Sequence, residues 1–226
     1  MPAAHAPSPR TTVRRGAARA AYDADTVRSV LSAGVIAHVG VTTDDGPIVL
    51  PMAYGVRDGA AGAEVLIHGA LANAMMRVGE SLDVCLTVTI VDGLVVARTP
   101  FHNSMNYRSV VVRGMASAIR EPDAKLAALR VINDHVTPTW ADARPPSNSD
   151  LRATLVLSIP LAESSAKVRS GDPIDEDIDL DGPHWAGVVP LETRWGRPDA
   201  ARDLRGNPPV PPGVAALAGT DAHPSR

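Results

Sequence analysis

Apolar and polar positions alternate along most of the chain between Val35 and Leu161, and only a few stretches replace that alternation with helical spacing. The first lies just ahead of it. Asp23 and Asp25 precede Val27, Val30 and Leu31, and Gly34 follows, which predicts a short helix with an acidic start and a glycine stop. "VIAHVGVTTDDGPIVLPMAYGV" then places two apolar segments around an Asp-Asp-Gly turn, the pattern of a hairpin. "AEVLIH" is a further strand ending at His68, and "LANAMMRV" reads as a short helical turn stopped by Gly79. "DVCLTVTIVDGLVVA" reads as two β-branched runs joined in a tight hairpin by Asp92-Gly93. "RSVVVRGMASAI" is a long strand in which Gly114 marks a bulge or a bend.

Pro122 opens a second helix, "PDAKLAALRVINDHV", with Leu126, Leu129, Ile132 and Val136 at helical spacing. "LRATLVLSIPL" supplies a closing strand. The result is six or seven strands in mostly antiparallel order, interrupted by two or three helices. Such an order predicts a mainly β fold with flanking helices, a barrel rather than a doubly wound sheet. No internal repeat is present.

At 226 residues the chain has room for one domain with loose ends. Residues 1–21 carry Arg10, Arg14, Arg15 and Arg19 and no acid, and form a basic N-terminal arm. Residues 22–191 make up the domain. Residues 192–226 contain six Pro and four Gly among few large apolar side chains, too little to offset the entropy of ordering, and are expected to be mostly disordered.

Charge and cysteine content narrow the function. A net charge of -3 gives no global attraction to nucleic acid or to an anionic membrane. Arg108 and Arg113 alternate with valines on a strand, without the clustered aromatics of a nucleic-acid platform. The lone Cys85 forbids an intramolecular disulfide and excludes cysteine-based zinc sites. No apolar run approaches the roughly 20 residues of a membrane span, and no signal peptide opens the chain, so the expected location is the cytoplasm. There is no G-x-G-x-x-G, phosphate loop, G-x-S-x-G or H-E-x-x-H.

The candidate chemistry sits where polar residues interrupt apolar strands. His38 lies inside one strand and reads as a structural histidine. His68 ends another just before a helix start, where backbone N–H groups can approach a ligand. "FHNSMNYRS" packs His102, Asn103, Ser104, Asn106, Tyr107 and Arg108 into one connection between strands. Lys167 and Arg169, two apart on an extended segment, point to one side and could hold a phosphate or carboxylate, or be a solvated pair. Trp185, in "HWAGVVPL", could stack on a cofactor ring.

Taken in order, "VLPMAYG", "VLIHGA", "VDGLVVAR", "HNSMNYRSVVV", "SAKVRSG" and "WAGVVPL" resemble the pyridoxamine 5'-phosphate oxidase-like flavin-binding split barrels, in their flavin-nucleotide-binding branch, over about residues 15–191. The resemblance implies a six-stranded antiparallel split β-barrel, a homodimer, and FMN in a groove shared by two subunits. It places Pro51, Met52, Ala53 and Tyr54 along the flavin ring, and His68 beside the ribityl-phosphate end or the substrate face. Arg108 would face the same groove, and Lys167, Arg169 and Trp185 would belong to the segment that closes over it. Relatives carry Ser or Gly, then Arg, then often Lys where this chain has Asn73, Ala74 and Met75. Each charge-assisted hydrogen bond to phosphate lost there is worth about 1.5–3 kcal/mol, or tenfold and more in affinity. Arg77, one turn beyond Asn73, could point to the same end.

The expected function is therefore an FMN-dependent oxidoreductase that exchanges a hydride with a small molecule, with His68 or His102 as proton donor. Vitamin B6 oxidation is not expected, because no basic cluster matches a second phosphate. Two alternatives remain. One is a non-catalytic protein that binds flavin, or haem on His68 and His102. The other is a cofactor-free enzyme that uses His68 and His102 as acid and base in the flavin pocket.

Overall fold

The computed structural model describes residues 7–59, 62–70 and 81–224. Among the described residues ten strands form one antiparallel sheet: β1 (Ala20–Ala21), β2 (Ala37–Thr43), β3 (Gly46–Met52), β4 (Tyr54–Gly59), β5 (Gly62–Ala70), β6 (Ser81–Val96), β7 (Ser104–Ile119), β8 (Thr154–Pro160), β9 (Ser164–Arg169) and β10 (Gly187–Pro190). Among the described residues five α-helices flank it: α1 (Ala24–Ala33), α2 (Pro122–Val136), α3 (Asn148–Ala153), α4 (Asp177–Leu180) and α5 (Pro212–Ala215).

The main path of the sheet runs β3-β2-β6-β7-β8-β5-β4. Its two ends, β3 and β4, are separated in sequence only by Ala53. The chain therefore steps from one edge of the sheet to the other in a single residue, which forces the sheet to curl round into a split barrel. The fold expected from the sequence is present, with ten strands where six were expected, because short pieces such as β1 and β10 add to the barrel's rim.

Alternation along each strand sends one set of side chains inward. Val39, Leu86, Val88, Val112, Ile67 and Ile159 fill the barrel, and Val30 and Leu31 of α1 pack against them. Helix α1 starts as expected, with the Asp23 carboxylate accepting from Thr26 N–H at 2.7 Å. The buried Tyr54 hydroxyl donates to the Leu31 carbonyl at 2.6 Å and lies 2.9 Å from that of Gly34, tying the end of α1 to β4.

A second, smaller core lies outside the barrel. Leu66 of β5 and Val156 of β8 meet Ala128 and Ile132 of α2. A Cβ on Gly55 would stand 2.9 Å from the Val131 carbonyl oxygen, so α2 reaches β4 only because that residue has no side chain.

The Asp92-Gly93 pair is not a hairpin. β6 continues through it for 16 residues, and both halves pair with the equally long β7. Val91 faces Tyr107 and Gly93 faces Asn106, so Asp92 is the extra residue of a bulge. β10 crosses close by: a Cβ on Gly93 would lie 2.7 Å from the Val189 carbonyl oxygen. Gly114 keeps its register with Val84, and it lies where β7 leaves β9, its partner up to Val112, for β8, its partner from Ser117.

The described parts of the N-terminal arm and of the C-terminal segment are anchored. In the arm, Arg10 pairs with Asp83 at 2.6 Å, and β1 adds to β9. The segment after Leu191, for which composition gives little reason to order, holds α5 and a bridge between Arg194 and Asp221. It returns to the barrel through His223, whose Nδ1 lies 2.9 Å from the Ala33 carbonyl. Among the described residues, no helix is long and apolar enough to cross a membrane.

Candidate functional site

Both faces of β5 are covered, which explains a histidine at the end of an apolar run. Val65 and Ile67 point into the barrel, while Leu66 points outward beneath α2. His68 shares the outward face and emerges where α2's cover ends. Here a cavity of about 360 Å³ opens between Leu129, Ile132 and Val136 of α2, Trp140 of the following loop, and Ala53 and His68 of the barrel. That volume is within the range of small-molecule sites. His68 is exposed at the mouth of the cavity, yet partial burial of its ring pushes the imidazole pKa below its ordinary value. Its neutral form therefore dominates near pH 7, and that form carries a lone pair for a metal. Asn133, Thr137 and Thr154 add polar groups to the rim.

The helical spacing of α2 predicts packing, but not that its end and Trp140 wall a cavity. The signal that was available is the apolar stripe of α2 continuing to Leu129 and Val136, both only partly buried.

The other expected site residues are dispersed. Met52 and Tyr54 belong to the barrel core, and Tyr54's hydroxyl is already bonded. Pro51 is exposed on β3 and Ala53 lines the His68 cavity. His102 sits at the end of a short 3-10 turn, 3.7 Å from Glu176 and edge-on to Phe101. It does not share the cavity of His68.

Arg108 is fully engaged: it grips Asp92, with Nη2 at 2.8 Å, and donates to the carbonyls of His223 and Pro224. Lys167 and Arg169 do not act as a pair. Lys167 donates to the Arg15 carbonyl at 2.9 Å, while Arg169 is buried against Asn106 and the carbonyls of Gly171 and Asp172. Trp185 is 65% exposed, with its ring folded over Gly187. Asn73, Ala74, Met75 and Arg77 lie outside the described residues.

The family described as pyridoxamine 5'-phosphate oxidase matches residues 23–168. The chain belongs to that family. Within this pyridoxamine 5'-phosphate oxidase fold, the flavocytochrome Anf3 from Azotobacter vinelandii is 35% identical over 96% of this chain and all of its own, with a TM-score of 0.87. The FAD and haem binding protein from Mycobacterium smegmatis is 32% identical over 91% of this chain and all of its own, with a TM-score of 0.83. A comparison with curated proteins gives no match.

Proposed function

We propose that this protein is a redox protein that binds FAD and a haem, with His68 as the protein's ligand to the haem iron. The carrying observation is a lone neutral imidazole at the mouth of an apolar cavity, in a chain whose relatives along nearly its whole length are named for flavin together with haem or cytochrome. The residues present suit both groups. Leu129, Ile132, Val136 and Trp140 offer an apolar wall to a porphyrin face, and His68 stands at its edge. β3 ends the sheet path and has no strand on its outer side among the described residues, so its backbone groups are free to hold a flavin ring.

FAD is favoured over the FMN expected from the sequence for a reason of charge. The terminal monoester of FMN carries about -1.5 to -2 and calls for basic side chains, whereas "NAM" at residues 73–75 has none. FAD spreads a similar total charge over two phosphates with one charge each, so no single group calls for a dense basic cluster, and the FAD and haem binding protein is among the similar structures. When bound, flavin supplies a carrier of hydride or single electrons and haem a one-electron centre. The chain's own part is to hold the iron from His68 and to keep water from the porphyrin face with α2. The reading with His68 and His102 as joint ligands, or as acid and base, loses support because the two lie in different places.

The same reading takes the protein to be a homodimer. Phe101, Ile178 and Trp185 are 90%, 86% and 65% exposed on neighbouring segments, an apolar face that a second copy would cover. Light scattering of the purified protein is expected to give twice the chain mass, and a monomer would remove this part.

The cofactor reading is tested by titrating the purified full chain with FAD, FMN and haemin while following the visible spectrum. Saturable flavin and haem bands, with FAD binding more tightly than FMN, are expected. A protein that stays colourless with all three would contradict the proposal.

A further inference from the structure

A second cavity, of about 390 Å³, lies on the other side of the barrel beneath the C-terminal segment. Ile90, Arg108, Val168 and Arg169 line it from the barrel, and Leu191, Thr193, Asp221 and His223 close it from the tail. The tail is held over it by specific bonds. Arg108 donates to the His223 carbonyl at 2.8 Å and to that of Pro224 at 3.0 Å, and His223 Nδ1 meets the Ala33 carbonyl.

The charges in this wall are uneven. Arg108 is neutralised by Asp92. Arg169 is only 6% exposed, and its hydrogen-bond acceptors, the Asn106 side-chain oxygen and the carbonyls of Gly171 and Asp172, are all neutral. Its Nε–H is buried and has no acceptor. Burial and the nearby positive charge of Arg19 both work against the charged guanidinium. Among the described residues no carboxylate stands within ion-pair distance of Arg169; the other acid of the lining, Asp221, accepts from the His223 N–H instead. A buried charge with no counter-charge in contact is costly, and the low local dielectric lengthens its reach into the cavity. An anion held there would relieve that cost. Ile90, Val168 and Leu191 add apolar lining, which favours an anion with an apolar body over inorganic phosphate.

We propose that this cavity is a binding site for a small organic monocarboxylate, with Arg169 as its counter-charge and the segment from Thr193 to His223 as its cover. It shares no lining residue with the His68 cavity.

The test is calorimetric titration of the full chain, as purified, with benzoate and with its neutral isostere benzamide. Benzoate is expected to bind one per chain and at least tenfold more tightly than benzamide. Arg169→Gln is expected to weaken benzoate at least tenfold and leave benzamide unchanged, and Arg169→Lys to fall between. Should Arg169→Gln not fold, truncation after Leu191 replaces it, and is expected to weaken both probes by removing the cover. No benzoate binding, equal affinity for the two probes, or benzoate binding unchanged by Arg169→Gln or by the truncation would each overturn the proposal.

Discussion

The cavity under α2 and the cavity under the C-terminal segment are carved against the same barrel, but one is walled by a helix and the other by irregular chain. The helical wall is held by apolar burial, with Ile132 and Ala128 seated on Leu66 and Val156, and it leaves the imidazole of His68 at the mouth of a mostly apolar cavity. The irregular wall is held by hydrogen bonds from Arg108 and His223, and it covers a buried cation. The first kind of wall is stiff and suits a large, planar, resident group. The second can open at the cost of a few hydrogen bonds, each worth about 0.5–1.5 kcal/mol, and suits a ligand that comes and goes.

The largest effect that would break this contrast is expected at Ile132. Ile132→Ala removes a buried side chain from the only apolar seam between α2 and the barrel among the described residues, and is expected to cost about 2–5 kcal/mol in urea denaturation. It should also weaken haem capture, while leaving benzoate binding at the tail cavity alone. Next comes Tyr54→Phe. It strips the Leu31 and Gly34 carbonyls of a buried donor and is expected to cost about 1–3 kcal/mol by the same measurement.

A pH series separates the two regions further. His68 and His135 both have pKa values lowered by burial, and for His135 the Gly34 carbonyl opposes the shift only in part. Each folded histidine thus titrates below its unfolded value of about 6.5. Below that pH the unfolded chain takes up protons that the fold refuses, so stability is full above about 6.5 and falls as pH drops towards the lower folded values. Denaturation midpoints between pH 7 and pH 5 are expected to decline in the wild type and to decline less steeply in His135→Gln. An equal slope in both would show that His135 is not part of the effect. The smallest change is expected at the exposed Arg28–Asp58 pair, where Arg28→Ala should cost less than about 1 kcal/mol.

The same contrast explains what could be read from the sequence. α2 was legible to the residue because Leu126, Leu129 and Ile132 declare a helix face locally. Its role as a cavity wall was not, since that depends on the outward face of β5. Asp92-Gly93 carries the residues of a tight turn, but whether such a pair turns or bulges is decided by what lies alongside. A single 16-residue β7 pairs with both halves of β6, so the pair bulges. Lys167 and Arg169 share a side of β9 as their spacing requires, yet their partners, Arg15 and Asn106, come from far along the chain. The tail was illegible for a different reason: its anchors are main-chain carbonyls, which every residue possesses and no composition reveals.

His68 carries the central claim, and chemical rescue tests it most directly. His68→Gly, titrated with haemin, is expected to lose at least tenfold in affinity and to regain a wild-type-like haem spectrum when free imidazole is added, with flavin binding unchanged throughout. Haem binding by His68→Gly at wild-type affinity, with a spectrum indifferent to imidazole, would contradict the account.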